Sequence, residues 1–83
     1  MKKMLEEFGD AEFLSMDGYD DCAVGVVERF GEQPIICYDR DKVIAKNIES
    51  GMTEEEAVEY FEYNQIGGFH GPLTPCFISQ NND

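Results

Sequence analysis

The chain has 83 residues, of which 42% are hydrophobic, and its 18 acidic residues outnumber the 6 basic ones to give a net charge of −12. A chain of this length forms one small domain whose core leaves little room for a deep ligand pocket. A surface this negative repels nucleic-acid phosphates, which lysine and arginine must neutralise, and it steers the protein toward basic partners. We therefore expect no direct binding to nucleic acid.

The sequence also predicts a compartment. Glu6 and Glu7 interrupt the apolar region that a secretion signal needs, and no apolar run approaches the ~20 residues of a membrane span. Three cysteines (Cys22, Cys37 and Cys76) are an odd number without a Cys-x-x-Cys spacing. This is typical of reduced thiols. We expect a soluble cytoplasmic protein that does not engage a membrane.

Residues 1–16 mix apolar and acidic side chains and predict a short amphipathic helix or turn, appended to a single domain that spans 1–83. The turn at 16–21 contains three aspartates. It lacks the D-x-[DN]-x-[DN]-G pattern and the later glutamate of a calcium-binding loop. A solvated turn without a metal is therefore expected there.

The next stretch predicts a β-hairpin. Residues 22–30 are rich in β-branched valine and form the first strand. A short connection at 31–33 leads to Pro34, which suits the first position of a strand, and the return strand at 35–38 pairs antiparallel with the first. Much later in the chain, residues 76–78 add a third strand beside the hairpin, and 79–83 form a frayed polar tail.

Two consecutive helices are predicted between the hairpin and the third strand. Asp39 caps the first helix, over about 40–50, and Gly51 ends it. Thr53 and Glu56 form the capping box of the second helix. The second helix has an apolar face and an opposite acidic face: Ala57, Tyr60, Phe61 and Asn64 lie on the first, and Glu55, Glu59 and Glu62 on the second.

Together these elements predict an α+β fold. A three-stranded antiparallel sheet, made of the hairpin and the C-terminal strand, packs on the two consecutive helices, and the N-terminal segment is an appendage. Although two helices in succession resemble a helix-turn-helix, the glutamates of the second one would be expelled from a DNA groove.

No catalytic or metal site is predicted. Cys22, Cys37, Cys76 and His70 are the ligand types of zinc, but none lie the usual two to four residues or so apart. Cys76 and His70 are a possible nucleophile and base, but a lone pair six positions apart does not indicate a cysteine enzyme, because the two side chains must also meet in the fold and be oriented by a third group. We therefore expect a non-enzymatic protein with no catalytic residue, no metal and no cofactor.

An alternative function comes from the glycine-rich loop at 67–71. Gly67 and Gly68 permit positive φ angles or a close backbone approach, and the amides of such loops can cradle a phosphate. The loop follows a helix, however, and has no neighbouring basic residue. A nucleotide or small-molecule sponge would then need basic residues from elsewhere in the fold or from a homodimer: Arg29, Arg40 or Lys42.

Aromatic residues complete the candidate surface. Tyr63 falls beside Glu59 on the polar side of the helix, and Phe69 occupies the loop tip. Rings rimmed by carboxylates suit recognition of a basic protein patch, in which the rings anchor and the charge steers. The same rings can simply cover a small core, and the acidity can simply keep the protein soluble. The predicted partner-binding residues are Glu55, Glu59, Glu62, Tyr63 and Phe69.

Three stretches carry a resemblance to known proteins: Tyr38-Asp39-x-x-Lys42-x-Ile44, Gly51-Met52-Thr53-x-Glu55-Glu56-Ala57-x-Glu59-Tyr60-Phe61-Glu62-Tyr63-Asn64, and Gly67, Gly71 and Thr74-Pro75-x-Phe77-Ile78. This pattern, over about 18–78, resembles a group of small uncharacterised acidic proteins of bacteriophages and prophages. Residues 69–70 and 72–73 depart from it, and they lie in the loop that would make the contact.

The resemblance implies a phage or prophage setting and no catalytic residues. By analogy with small acidic phage proteins that compete with nucleic acid, it implies an inhibitor of a basic host protein. The expected partner is a nuclease, a helicase or a defence complex, which makes the protein a nucleic-acid mimic of the anti-CRISPR or anti-restriction type that acts in the host cytoplasm.

Overall fold

The computed structural model of the protein describes residues 2–9 and 11–80. Three strands form one sheet: β1 (Ala23–Val27), β2 (Ile35–Asp39) and β3 (Cys76–Ile78). The helical elements are α1 (Lys2–Glu6), a 3₁₀ turn (Asp20–Cys22), α2 (Arg40–Glu49), and α3 (Glu54–Tyr60), which continues as a π-helical turn (Phe61–Gln65). The predicted α+β class, with a three-stranded sheet and two consecutive helices, is confirmed.

The direction of β3 differs from our prediction. β1 and β2 pair antiparallel, as predicted, but β3 runs parallel to β2, with Cys37 opposite Cys76 and Asp39 opposite Ile78. The sheet is therefore mixed, with β2 in its centre. Parallel neighbours require a long crossover connection, and here α2 and α3 carry the chain back to the end of the sheet where β2 begins.

The hydrophobic core lies between the sheet and the helices. Side chains alternate along a strand, so Ile36 and Tyr38 of β2 face the helices, where they pack in one buried cluster with Val43 and Phe61. The Phe61 ring meets the ring of Phe77 edge-on, with centroids 5.0 Å apart. Burying a ring of this size stabilises the fold by about 2–3 kcal/mol.

Both predicted helix caps are confirmed. The Asp39 carboxylate accepts a hydrogen bond of 3.0 Å from the backbone N–H of Lys42 at the start of α2. At the start of α3, the Thr53 N–H donates to Glu56 Oε1 at 2.9 Å, and the Glu56 N–H donates to Thr53 Oγ1 at 3.2 Å. Between the helices, Gly51 adopts a φ of +119°, a conformation that side chains disfavour.

The N-terminal segment folds back on the domain. Leu5, Phe13 and Met16 pack against the core, and the Met16 N–H donates a 2.7 Å hydrogen bond to the buried hydroxyl of Tyr38. At the other end of the chain, the predicted polar tail at 79–83 extends past the described residues, because 81–83 lie outside them. No helix within 2–9 and 11–80 is long and apolar enough to cross a membrane.

The π-helical turn changes which residues of the second helix face the core. Its closing bond runs from the Ile66 N–H to the Phe61 carbonyl, at 2.8 Å, so the turn holds one residue more than an α-helical turn. Asn64 is exposed as a result, although the α-helical period placed it on the apolar face. Gln65 takes the inward position instead. Tyr60 is also 40% exposed rather than buried.

Candidate functional site

The outer surface of α3 and the π-helical turn is acidic. Five glutamates are exposed there: Glu54, Glu55, Glu56, Glu59 and Glu62. Among the described residues the structure has two ion pairs, Arg40 with Asp41 and Lys46 with Asp21, and none of these glutamates takes part in them. No lysine or arginine follows Lys46 in the chain. No cation of the described residues therefore forms an ion pair with this surface.

The five predicted partner-binding residues all lie on the surface. Glu55, Glu59 and Glu62 are exposed, and the side chains of Tyr63 and Phe69 are 78% and 80% exposed. Neither of these two aromatic residues covers the core. Their role in binding a partner stays a prediction, but the arrangement has the combination of charge and exposed rings that such binding requires.

A groove on α3 brings some of these residues together. It is open and shallow, with a volume of about 360 Å³, and two tyrosines, two glutamates, a methionine and an asparagine line it: Tyr60, Tyr63, Glu56, Glu59, Met52 and Asn64. Glu55 lines a neighbouring shallow depression with Glu54, Val58 and Glu59. Of the five predicted partner-binding residues, Glu59 and Tyr63 thus line the same groove. The structure adds Tyr60, which the sequence placed on the apolar face of the helix, and Met52.

The fold affects the ionisation of Glu56 in the groove. Its side chain accepts the hydrogen bond from the Thr53 backbone and lies beside the Thr53 hydroxyl, and these contacts lower the pKa of the Glu56 carboxyl. The sign of the shift means that Glu56 holds its negative charge to lower pH than an ordinary glutamate does.

The position of the groove depends on a buried polar network that sequence reasoning missed. Asn47 of α2 is completely buried, and its Oδ1 accepts a 2.6 Å hydrogen bond from the Tyr19 hydroxyl. Its Nδ2 donates to Gln65 Oε1 at 3.0 Å and to the Ala57 carbonyl at 3.4 Å. The network connects α2 to both ends of the segment that displays Tyr63. The only sign of this network in the sequence was Asn47, a polar residue at a position of α2 that faces inward.

The glycine-rich loop offers little that would bind a phosphate. The Thr74 hydroxyl accepts the His70 N–H at 2.8 Å and donates to the Gly71 carbonyl at 2.6 Å, so an amide that a phosphate would need is already engaged. The cavity beneath Gly68 and His70 is about 80 Å³, and His70 also lines an open depression of about 560 Å³. Neither lining contains a lysine or an arginine, which weighs against the sponge.

Arg40, one of the basic residues that a nucleotide sponge could use, already contacts other side chains of the fold. The guanidinium of Arg40 lies 5.3 Å from the centre of the Phe61 ring and 3.6 Å from the Asp41 carboxylate. A cation over an aromatic face is attracted by the electrons of the ring. This contact shows within the fold itself how an arginine packs on an aromatic side chain.

The three cysteines do not converge. Cys22 belongs to the core cluster on the helical side of the sheet, whereas Cys37 and Cys76 are opposite each other on β2 and β3, on the other face. Within 2–9 and 11–80 no three or more metal-binding side chains come together.

Cys37 is expected to react slowly with alkylating reagents. Burial, together with the neighbouring Cys76 thiol, raises the pKa of the Cys37 thiol to about 11. Since the thiolate is the reactive form, little of it exists at neutral pH, and the alkylation rate should keep rising with pH up to about 11. An iodoacetamide time course at several pH values, read by mass spectrometry at each cysteine, tests this.

The same shift has a consequence for stability. The folded state holds the Cys37 proton more tightly than the unfolded chain, so folding stability should fall as the pH rises from the ordinary thiol value toward about 11. A Cys37→Ala variant is the control: its stability should decrease less over this range, and the decrease that remains comes from groups such as Cys22 and Tyr38, whose pKa values burial also raises. The prediction of slow alkylation would be contradicted if Cys37 in the folded protein at pH 7 reacted as fast as in urea.

A comparison of the chain with known protein families found no match, and comparisons with curated proteins and with solved structures found no similar protein. The function proposed below therefore rests on the charge and geometry of the described surface.

Proposed function

We propose that the protein is a non-enzymatic, acidic interaction protein of phage or prophage origin, which binds and inhibits a basic host protein in the cytoplasm. The inhibited protein would be a nuclease, a helicase or a nucleic-acid-binding defence complex. Inhibition follows if the acidic surface occupies the site where the partner otherwise binds the phosphates of DNA or RNA.

The observation that carries this proposal is the row of exposed glutamates on α3 that form no ion pair within the described part of the chain. Five exposed glutamates between Glu54 and Glu62 lie within about 12 Å of helix axis, and none of them has an ion-pair partner among the described residues. Such a concentration of one sign of charge accelerates association with an oppositely charged surface. The nucleic-acid site of a nuclease or helicase is such a surface.

The exposed aromatic rings support specific binding beyond charge. Tyr63 and Phe69 are large side chains that the fold leaves in solvent, and aromatic residues are the commonest energetic centres of protein interfaces. Charge would thus determine the rate and the salt dependence of binding, and the rings would supply the part of the affinity that persists when salt is added.

The test is a binding assay with a panel of purified basic proteins. The panel contains a nuclease, a helicase and, as a control, a basic protein that does not bind nucleic acid. We expect one of the first two to bind, to be displaced by DNA, and to bind more than tenfold less tightly as salt rises from about 0.1 to 0.5 M. Nuclease or helicase activity in the same mixture should decrease in proportion to binding.

Matched variants separate the surface from the net charge. The triple variant Glu55→Gln, Glu59→Gln, Glu62→Gln should weaken binding at least about tenfold. A control triple with the same net charge replaces exposed glutamates elsewhere: Glu7→Gln, Glu28→Gln and Glu32→Gln. Equal losses in the two triple variants, or a complex that DNA does not displace, would refute the proposed function.

A further inference from the structure

We infer that the groove on α3 receives an arginine side chain of the basic partner, with the guanidinium held between the tyrosine rings and the Glu59 carboxylate. This inference rests on the proposed function and deepens it. It assigns to one part of the acidic surface a defined chemical preference, whereas charge alone would attract lysine and arginine equally.

The groove is shallow and open, and its surface can receive one long side chain. Its volume of about 360 Å³ lies near the lower end of the roughly 300–1,000 Å³ of small-molecule sites. Tyr60 and Tyr63 both line it and are 40% and 78% exposed. Met52, at the N-terminal end of the groove, offers a flexible apolar contact for the methylene groups of a long side chain.

The charge in the groove is complementary to a cation. Glu59 is exposed, and no ion pair involves it within the described ranges. Glu56, whose Oε1 accepts the Thr53 N–H at 2.9 Å, also lines the groove. Two carboxylates and two aromatic rings therefore line one groove, and its lining contains no cationic side chain. Neither the rings alone nor the charges alone would define a site.

The side chains that line the groove suit arginine better than lysine. A guanidinium is planar and weakly hydrated, so it can stack on a tyrosine ring and at the same time donate two hydrogen bonds to one carboxylate. An ammonium is a compact, strongly hydrated charge that gains less from a ring in an open groove. The fold contains the same contact internally, where the Arg40 guanidinium lies 5.3 Å from the Phe61 ring centre.

The experiment compares two peptides that differ only in the cation. The full chain is titrated with a glycine peptide containing two arginines and with the same peptide containing two lysines, by calorimetry and by ¹⁵N chemical shifts. We expect the arginine peptide to bind about three- to tenfold more tightly, with the largest shifts at Tyr60 and Tyr63. Shifts centred elsewhere would overturn the inference.

Variants of exposed residues test the groove without endangering the fold. Tyr63→Ser should lower the affinity for the arginine peptide to that for the lysine peptide. The control Phe30→Ser removes a fully exposed ring in the β1–β2 connection and should leave the preference for arginine unchanged. Glu59→Gln should weaken arginine binding more than the exposed control Glu32→Gln. Equal effects of groove and control variants would refute the assignment.

The result for the groove is separable from that for the proposed function. Equal affinity for both peptides, a preference for lysine, or no binding of either peptide overturns the groove inference. The proposed function then survives if a basic nuclease or helicase still binds through the acidic surface. Conversely, an arginine preference lost in Tyr63→Ser supports the groove even if no protein of the panel binds, an outcome that would remove the proposed function alone.

Discussion

Replacing Asn47 with leucine is expected to lower the free energy of unfolding by about 2–4 kcal/mol, because three hydrogen bonds made by a completely buried side chain would be lost, each contributing about 1 kcal/mol. Asn47 is completely buried and bonds to the Tyr19 hydroxyl, to Gln65 and to the Ala57 carbonyl. Leucine has a similar shape, so the change mainly removes these bonds. In a small domain with about 5–15 kcal/mol of stability, this is a large loss. Urea unfolding followed by circular dichroism measures it.

A smaller change in the same network provides the control. Tyr19→Phe removes one hydroxyl and one hydrogen bond of 2.6 Å, so it should destabilise the protein by about 1–2 kcal/mol. Because the two residues are in contact, the losses in the double variant should not add. An Asn47→Leu variant as stable as the unmodified protein would show that the network does not hold α2 against the π-helical turn.

Gly67→Ala should destabilise the fold by about 1–3 kcal/mol, as expected for a side chain forced into a filled space. A Cβ atom at Gly67 would press against the Glu62 carbonyl oxygen and lie 3.0 Å from the Tyr63 carbonyl oxygen. These are backbone atoms of the π-helical turn and cannot rotate away. The loss should therefore appear in urea unfolding, together with altered chemical shifts at Tyr63 and weaker binding in the groove.

Gly25→Ala is the matched control for this substitution. Gly25 lies in β1, and a Cβ atom there would meet nothing within 4 Å. Alanine should thus be tolerated or be stabilising by a few tenths of a kcal/mol or so, because glycine weakens a strand. If Gly25→Ala and Gly67→Ala destabilise the protein equally, the loss at Gly67 does not come from the close approach to the turn.

Much of the fold could be predicted because its signals are local. The caps at Asp39 and Thr53 depend on residues three positions away, and the hairpin depends on valines followed by a short connection. The direction of β3 had no such signal, because it depends on how α2 and α3 together carry the chain across the sheet. Gly67 was an intermediate case: the sequence allowed either a positive φ or a close approach, and the structure shows the close approach.

The candidate site was predictable only in part, for a related reason. Acidic residues on α3 and their exposure follow from helical periodicity. The groove does not follow from it, because one additional residue in the π-helical turn moves Asn64 outward and Gln65 inward. No residue between Phe61 and Gln65 is diagnostic of such a turn. What holds it is Asn47, which is distant in the chain, and Gly67, which permits the close approach.

The position of β3 at the edge of the sheet also makes the two parts of the candidate surface differ in local stability. These parts are the α3 groove and the loop that carries Phe69. β3 is a three-residue edge strand at the end of a long crossover, and short edge elements open locally at lower free energy than a core does. Detachment of β3 would release one end of the loop that carries Phe69, whereas the hydrogen bonds of Asn47 would still hold α3 and the π-helical turn to α2. A contact made through Phe69 should thus be lost more readily than one made through the acidic groove.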